Sequence, residues 1–164
     1  MGEIERRLAE RELVLPAVFA APPGMRMTFD RVRIDGTVAY VSGHGPMDGS
    51  RPLMVGKVGD PLAGDWLSQE AGYEAARLTA LSVLASLKHE LGELDRVTGW
   101  LRLLGFVNVA PGFTATPPVI NGFSDLILEL WGDRGRHARS AIGVAELPYG
   151  IPVEVEAVVR VDGR

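Results

Sequence analysis

Near the end of the chain Val153, Val155, Ala157, Val159 and Val161 alternate with Glu154, Glu156, Val158 and Arg160. This period of two predicts a strand over 153–161 with one wholly apolar face. A second strand is predicted over 139–147, joined to it through Pro148-Tyr149-Gly150 as a hairpin. The period changes to that of a helix over 69–91, where Tyr73, Ala76, Ala80, Val83, Leu84, Leu87 and Leu91 form one stripe. Ser68 is placed to cap its start, and Gly92 to end it. A second helix is predicted over 117–131, with Pro117 and Pro118 in its first turn and Val119, Phe123, Leu126, Ile127 and Leu130 facing inward. Between the helices, residues 96–109 carry strand signals. Upstream, Asp35-Gly36 predicts a hairpin between strands near 27–34 and 37–42, and a short third strand is expected near Met54–Val58. Residues 3–12 read as a short polar helix carrying Ile4 and Leu8, followed by the Ala21-Pro22-Pro23-Gly24 loop. The order predicts an α+β fold: a mixed six-stranded sheet with two helices on one face.

Composition narrows the chemistry. With 164 residues the chain suits one domain. It contains no cysteine, which excludes disulfides, thiolate metal sites and cysteine nucleophiles. His44, His89 and His137 lack ligand spacing, so no metal or other cofactor is expected. The net charge is −4, and the basic residues are scattered, which argues against a nucleic-acid partner. No apolar run approaches the ~18–20 residues of a membrane span. The charged start, Met-Gly-Glu-Ile-Glu-Arg-Arg, does not resemble a signal peptide, so no membrane partner and a cytoplasmic location are expected. All but two of the 17 basic residues, Lys57 and Lys88, are arginine, which favours planar anion clamps.

Two constellations carry candidate chemistry. Glu154 and Glu156 share one face of the last strand; they form either a solvated surface or a carboxylate pair able to hold a water or a proton. Arg134, Arg136 and Arg139 form a basic cluster that reads equally as surface charge, but Arg139 falls inside a strand. In the expected hairpin, residue 139 pairs with about 158. Arg139 and Glu154 would then share a face roughly 13 Å apart.

The stretch Arg139-Ser140-Ala141-Ile142-Gly143-Val144-Ala145-Glu146-Leu147-Pro148, followed by Val153-Glu154-Val155-Glu156-Ala157, resembles the signature of the YjgF/RidA family of reactive-intermediate deaminases. Val41-Ser42-Gly43-His44-Gly45-Pro46, Gly105-Phe106-Val107-Asn108 and Val119-Ile120-Asn121-Gly122 are similar to further family segments. The resemblance covers about residues 26–161 and leaves 1–25 as an N-terminal extension before a single domain, 26–164. It implies a chorismate-mutase-like fold, a homotrimer and ligand sites between subunits. It also implies that Arg139 binds a substrate carboxylate, with Asn121, Ser42, Gly43 and His44 beside it and Glu154 catalytic. The implied reaction is cofactor-free hydrolysis of enamine or imine forms of 2-amino acids to ammonia and a 2-keto acid. The alternative is a non-catalytic small-molecule-binding or regulatory protein that uses the same cleft between subunits. Ala141, His44 and the lack of a tyrosine among residues 25–29 depart from the family pattern.

Overall fold

The computed structural model describes residues 2–163. Helix α1 (Glu3–Glu10) buries Ile4 and Leu8, the two apolar positions its spacing places on one side. The amides of Glu3 and Ile4 donate to the Asp95 carboxylate at 2.6 and 2.8 Å, so an anion caps its positive end. Residues 11–30 contain no helix or strand. They are tied down by Ala17, whose N–H donates to Asp48 Oδ1 at 3.0 Å and whose C=O accepts from Gly49 at 3.0 Å.

Strands β1 (Val32–Asp35) and β2 (Val38–His44) form the expected hairpin about Asp35-Gly36, with Val32 opposite Val41. No strand forms over Met54–Val58. A two-stranded ribbon, β3 (Met47–Asp48) and β4 (Arg51–Pro52), precedes that region, and Val58 makes only isolated bridges to Leu67 and Val109. Helix α2 (Gln69–Leu91) starts where Ser68 Oγ accepts from Ala71 N at 3.1 Å and stops at Gly92. Strand β5 (Val97–Asn108) and helix α3 (Thr116–Trp131) match the sequence reading closely. The two helices lie very close together: a Cβ on Gly122 would clash with the backbone of Tyr73, so only glycine fits there.

Strands β6 (Ala138–Val144) and β7 (Val153–Val161) correct the predicted hairpin. The main sheet has five strands in the order β1-β2-β7-β5-β6. β6 runs parallel to β5, whereas β7 is inserted between β2 and β5, antiparallel to both. The reason lies in the connections. Helix α3 carries the chain from the end of β5 back to its start, which makes β6 a parallel neighbour. The segment 145–152 then crosses the end of β5 and lets β7 return alongside it. Alternation within a strand specifies its two faces but not its neighbours.

The apolar face of β7 lies with Leu103 and Val107 of β5 against α2 and α3. At the far end Trp100 packs edge-on against Phe123 and Trp131, at centroid distances of 5.9 and 5.5 Å. The opposite face carries no helix. It presents Tyr40 and Ile142, 51% and 44% exposed, beside half-buried Leu104, Phe106 and Val158.

Candidate active site

Glu154 lies on the face of the sheet away from the helices, in one row with Phe106 and Ile142. Its carboxyl rests on the backbone of Gly43, where any Cβ would collide with it. Gly43 lies in an irregular stretch of β2, between Val41 and His44, where the register with β7 shifts. The carboxyl opens on a cavity of about 510 Å³ walled by Phe19, Met25, Met27, Phe29, Tyr149 and Ile151. No described group hydrogen-bonds it. Burial pushes the Glu154 pKa above the usual carboxylate range; Arg31 opposes the shift and Glu156 adds to it.

Arg26 and Arg31 both line this cavity, and Arg31, whose charge acts on Glu154, was missed by sequence reasoning. Its Nη1 donates to Gly43 O at 3.3 Å, and its guanidinium carbon lies 5.2 Å from the Phe19 ring centroid. Its Nε is buried without an acceptor. No motif marks it, because the cavity wall is built by residues 19–31, a segment without periodicity.

Arg139 lies elsewhere. It forms a row with Leu103 and Ala157, on the helix-bearing face of the sheet. Glu154 is three rows along and two strands across, so the two Cα atoms are about 14 Å apart on opposite faces. The expectation of a shared face is therefore overturned by the strand order. Arg139 Nη1 donates to Asn121 Oδ1 at 3.0 Å and Ser124 Oγ at 2.9 Å, while Nη2 donates to Pro117 O at 3.3 Å. Asn121, in the early turns of α3, thus serves as a partner of Arg139.

Ser42 Oγ donates to Asp30 O at 2.7 Å and tethers the segment that carries Arg31. His44 does not line the cavity. Its side chain is 1% exposed in the core, with Nδ1 2.6 Å from Ser42 O and Nε2 2.8 Å from Ser86 Oγ. Burial pushes its pKa down to about 3, helped by Arg31, so the ring is neutral at physiological pH. The placement follows from the shifted register, which sets His44 opposite Val155 on the core face. His89 and His137, by contrast, are exposed and half-buried, respectively.

Among the described residues, no group of three or more His, Asp or Glu side chains is placed to hold a metal ion, and no helix is long and apolar enough to cross a membrane. A helix pair covering one side of a mixed sheet, with an unpartnered carboxyl on the other, defines a two-layer α+β protein with acid–base potential on its open face.

Comparison with known proteins specifies the family. The model of the family described as "YjgF/chorismate_mutase-like, putative endoribonuclease" matches residues 5–152. The chain belongs to this YjgF/RidA family. Protein TCP17 of Trypanosoma cruzi is 39% identical over 162 residues, 98% of this chain and 96% of its own. The structure of protein Atu1372 from Agrobacterium tumefaciens, of unknown function, is 36% identical with a TM-score of 0.84, covering 97% of this chain and 92% of its own. A structure described as a "putative endoribonuclease" from Shewanella oneidensis is 31% identical with a TM-score of 0.85, covering 98% and 100%.

Proposed function

We propose that this protein is a cofactor-independent hydrolytic deaminase, acting in the cytoplasm on imine or enamine forms of 2-amino acids. The observation that carries the proposal is the Glu154 carboxyl: half-buried, shifted toward its protonated form, and facing an apolar cavity without a protein hydrogen bond. Such a group is better poised to accept and return a proton than an ordinary exposed carboxylate. The tautomerised imine carbon is already electrophilic. Glu154 takes a proton from water as the water oxygen bonds to that carbon and the C=N electrons move to nitrogen. Glu154 returns that proton to the nitrogen, giving a carbinolamine. A second transfer through Glu154, from the carbinolamine hydroxyl to its nitrogen, breaks the C–N bond as C=O forms, so imine and water become 2-keto acid and ammonia.

The substrate carboxylate falls to Arg139, whose fixed planar fork suits bidentate binding. Because Arg139 and Glu154 occupy opposite faces of one sheet, a shared site requires Arg139 from a second copy of the chain. Family membership and the uncovered apolar patch of Tyr40, Leu104, Phe106 and Ile142 support a homotrimer that brings them together. Arg31 favours a second reading. Its charge lowers the Glu154 pKa and so weakens that carboxylate as a base, which suits a protein that binds without turnover. The net charge of −4 speaks against RNA as a substrate under either reading.

The test is release of ammonia and keto acid when an imine is generated in situ with the purified protein, together with light scattering. Turnover by a trimer is expected. A stable monomer sinks the shared site, and uncatalysed rates from a trimer favour the binding reading.

A further inference from the structure

Beside Arg139 lies a polar chain that the proposed reaction does not use. His137 Nδ1 is 2.7 Å from Gly135 O, and His137 Nε2 is 2.9 Å from Ser124 Oγ. A carbonyl oxygen only accepts, so Nδ1 carries the proton, and Nε2 of the neutral ring must accept. The Ser124 hydroxyl therefore donates to His137, which leaves its lone pairs for Arg139 Nη1–H at 2.9 Å. The run from Arg139 through Ser124 and His137 to Gly135 is consistent at every donor and acceptor.

The run decides what Arg139 has left to offer. A guanidinium has five N–H bonds. Two on Nη1 are taken by Asn121 and Ser124, and one on Nη2 is taken by Pro117 O. The Nε–H and one Nη2–H remain, a pair able to meet a carboxylate. Ser124 is not a nucleophile in this arrangement, because it is buried and its oxygen accepts from a guanidinium.

We infer that Ser124 and His137 are positioning residues that lock the Arg139 guanidinium so that its Nε–H and one Nη2–H face a ligand carboxylate. This rests on the assignment of Arg139 as the carboxylate clamp. Protonation of His137 would undo the lock, since Nε2–H would then point at Ser124 and leave the buried hydroxyl hydrogen without an acceptor. Burial and the Arg139 charge hold the His137 pKa below its ordinary value, while the Gly135 hydrogen bond opposes them. The other charged groups on the packed elements are engaged. Asp125 on α3 accepts from Tyr73 Oη at 2.9 Å. Arg77 on α2 pairs with Glu129 on α3 at 3.0 Å. Asp133 pairs with Arg136, ahead of β6, at 3.1 Å. Asp125 is the carboxylate whose charge acts on Arg139.

The test combines side-chain nitrogen NMR of the arginine Nε–H groups with pyruvate as a carboxylate probe, using the full chain. The Arg139 signal is assigned by its loss in Arg139→Lys. Wild type is expected to show a sharp Arg139 signal that broadens as pH falls below 6.5 and to bind pyruvate. Ser124→Ala should broaden that signal at neutral pH and weaken pyruvate about tenfold, roughly one charged hydrogen bond's worth. Ser124→Thr should restore both, and His137→Gln should remove the response to acid. Wild-type signal and affinity in a folded Ser124→Ala protein would overturn the inference. If the Arg139 signal follows Ser124 and His137 but wild type binds no pyruvate, the positioning stands and the carboxylate reading falls.

Discussion

Arg139 and Glu154 form two centres with opposite designs. Arg139 is held by three hydrogen bonds that it donates to neighbours on α3, and its partner Ser124 is itself satisfied by His137. Glu154 has a cavity, a glycine beneath it and no hydrogen-bond partner among the described residues. A residue that must present a fixed shape to a ligand gains from being locked. A residue that must gain and lose a proton gains from being left unsatisfied, because each hydrogen bond to its charged form would lower its pKa. The difference teaches that, under the proposed reaction, binding and chemistry divide between a rigid region and a chemically unsatisfied one.

The sharpest way to break the comparison is to remove each function separately. Glu154→Gln should lower turnover in the imine assay at least a hundredfold, in keeping with loss of a general base, while pyruvate affinity in calorimetry changes little. Arg139→Ala should reverse the pattern, weakening pyruvate about a hundredfold, with Arg139→Lys recovering only a small part. Its melting temperature should fall only slightly, since Ser124 keeps His137 as a partner.

A smaller effect separates two causes of acid sensitivity. His44 has a folded pKa of about 3 against an ordinary 6.5. The stability tied to its neutral form is complete above pH 6.5 and is lost as pH falls toward 3. At pH 5 the loss is about 2 kcal/mol, or roughly 6 °C in melting temperature. His44→Gln should flatten that dependence in a thermal scan over pH 5–7, leaving the Glu154 and His137 titrations as causes of lost activity that do not act through stability. The mildest perturbation is Arg31→Met. Removing the charge that opposes the Glu154 shift should move the carboxyl pKa further up, read by carbon NMR of the Glu154 side chain, and shift the acid limb of the rate profile the same way.

Much of this architecture was legible in the sequence, for physical reasons. Ser68 and Gly92 mark the ends of α2 because caps act locally. The valine alternation of β7 marks its buried face because the pleat repeats every two residues. What remained hidden was non-local. The β5–β6 pairing depends on a helical crossover, and alternation in β6 and β7 is equally compatible with a hairpin. Arg31 was invisible because its meaning comes from Phe19 and Glu154, which no spacing connects to it. His44 was misjudged because a register shift in β2 changes which face a side chain takes.

The position of β7 also has a consequence for how the chain comes together. Residues 32–44 and 69–91 can form one half-layer, and residues 97–144 another, each from contacts near in sequence. Within the sheet only residues 153–161 join them, by filling the slot between β2 and β5, while α2 and α3 meet in the helix layer. On the ribosome both halves therefore emerge with bare strand edges, and the sheet closes only after its central strand arrives. Folding is then governed by long-range closure, which makes it slow and exposes adhesive edges in the meantime.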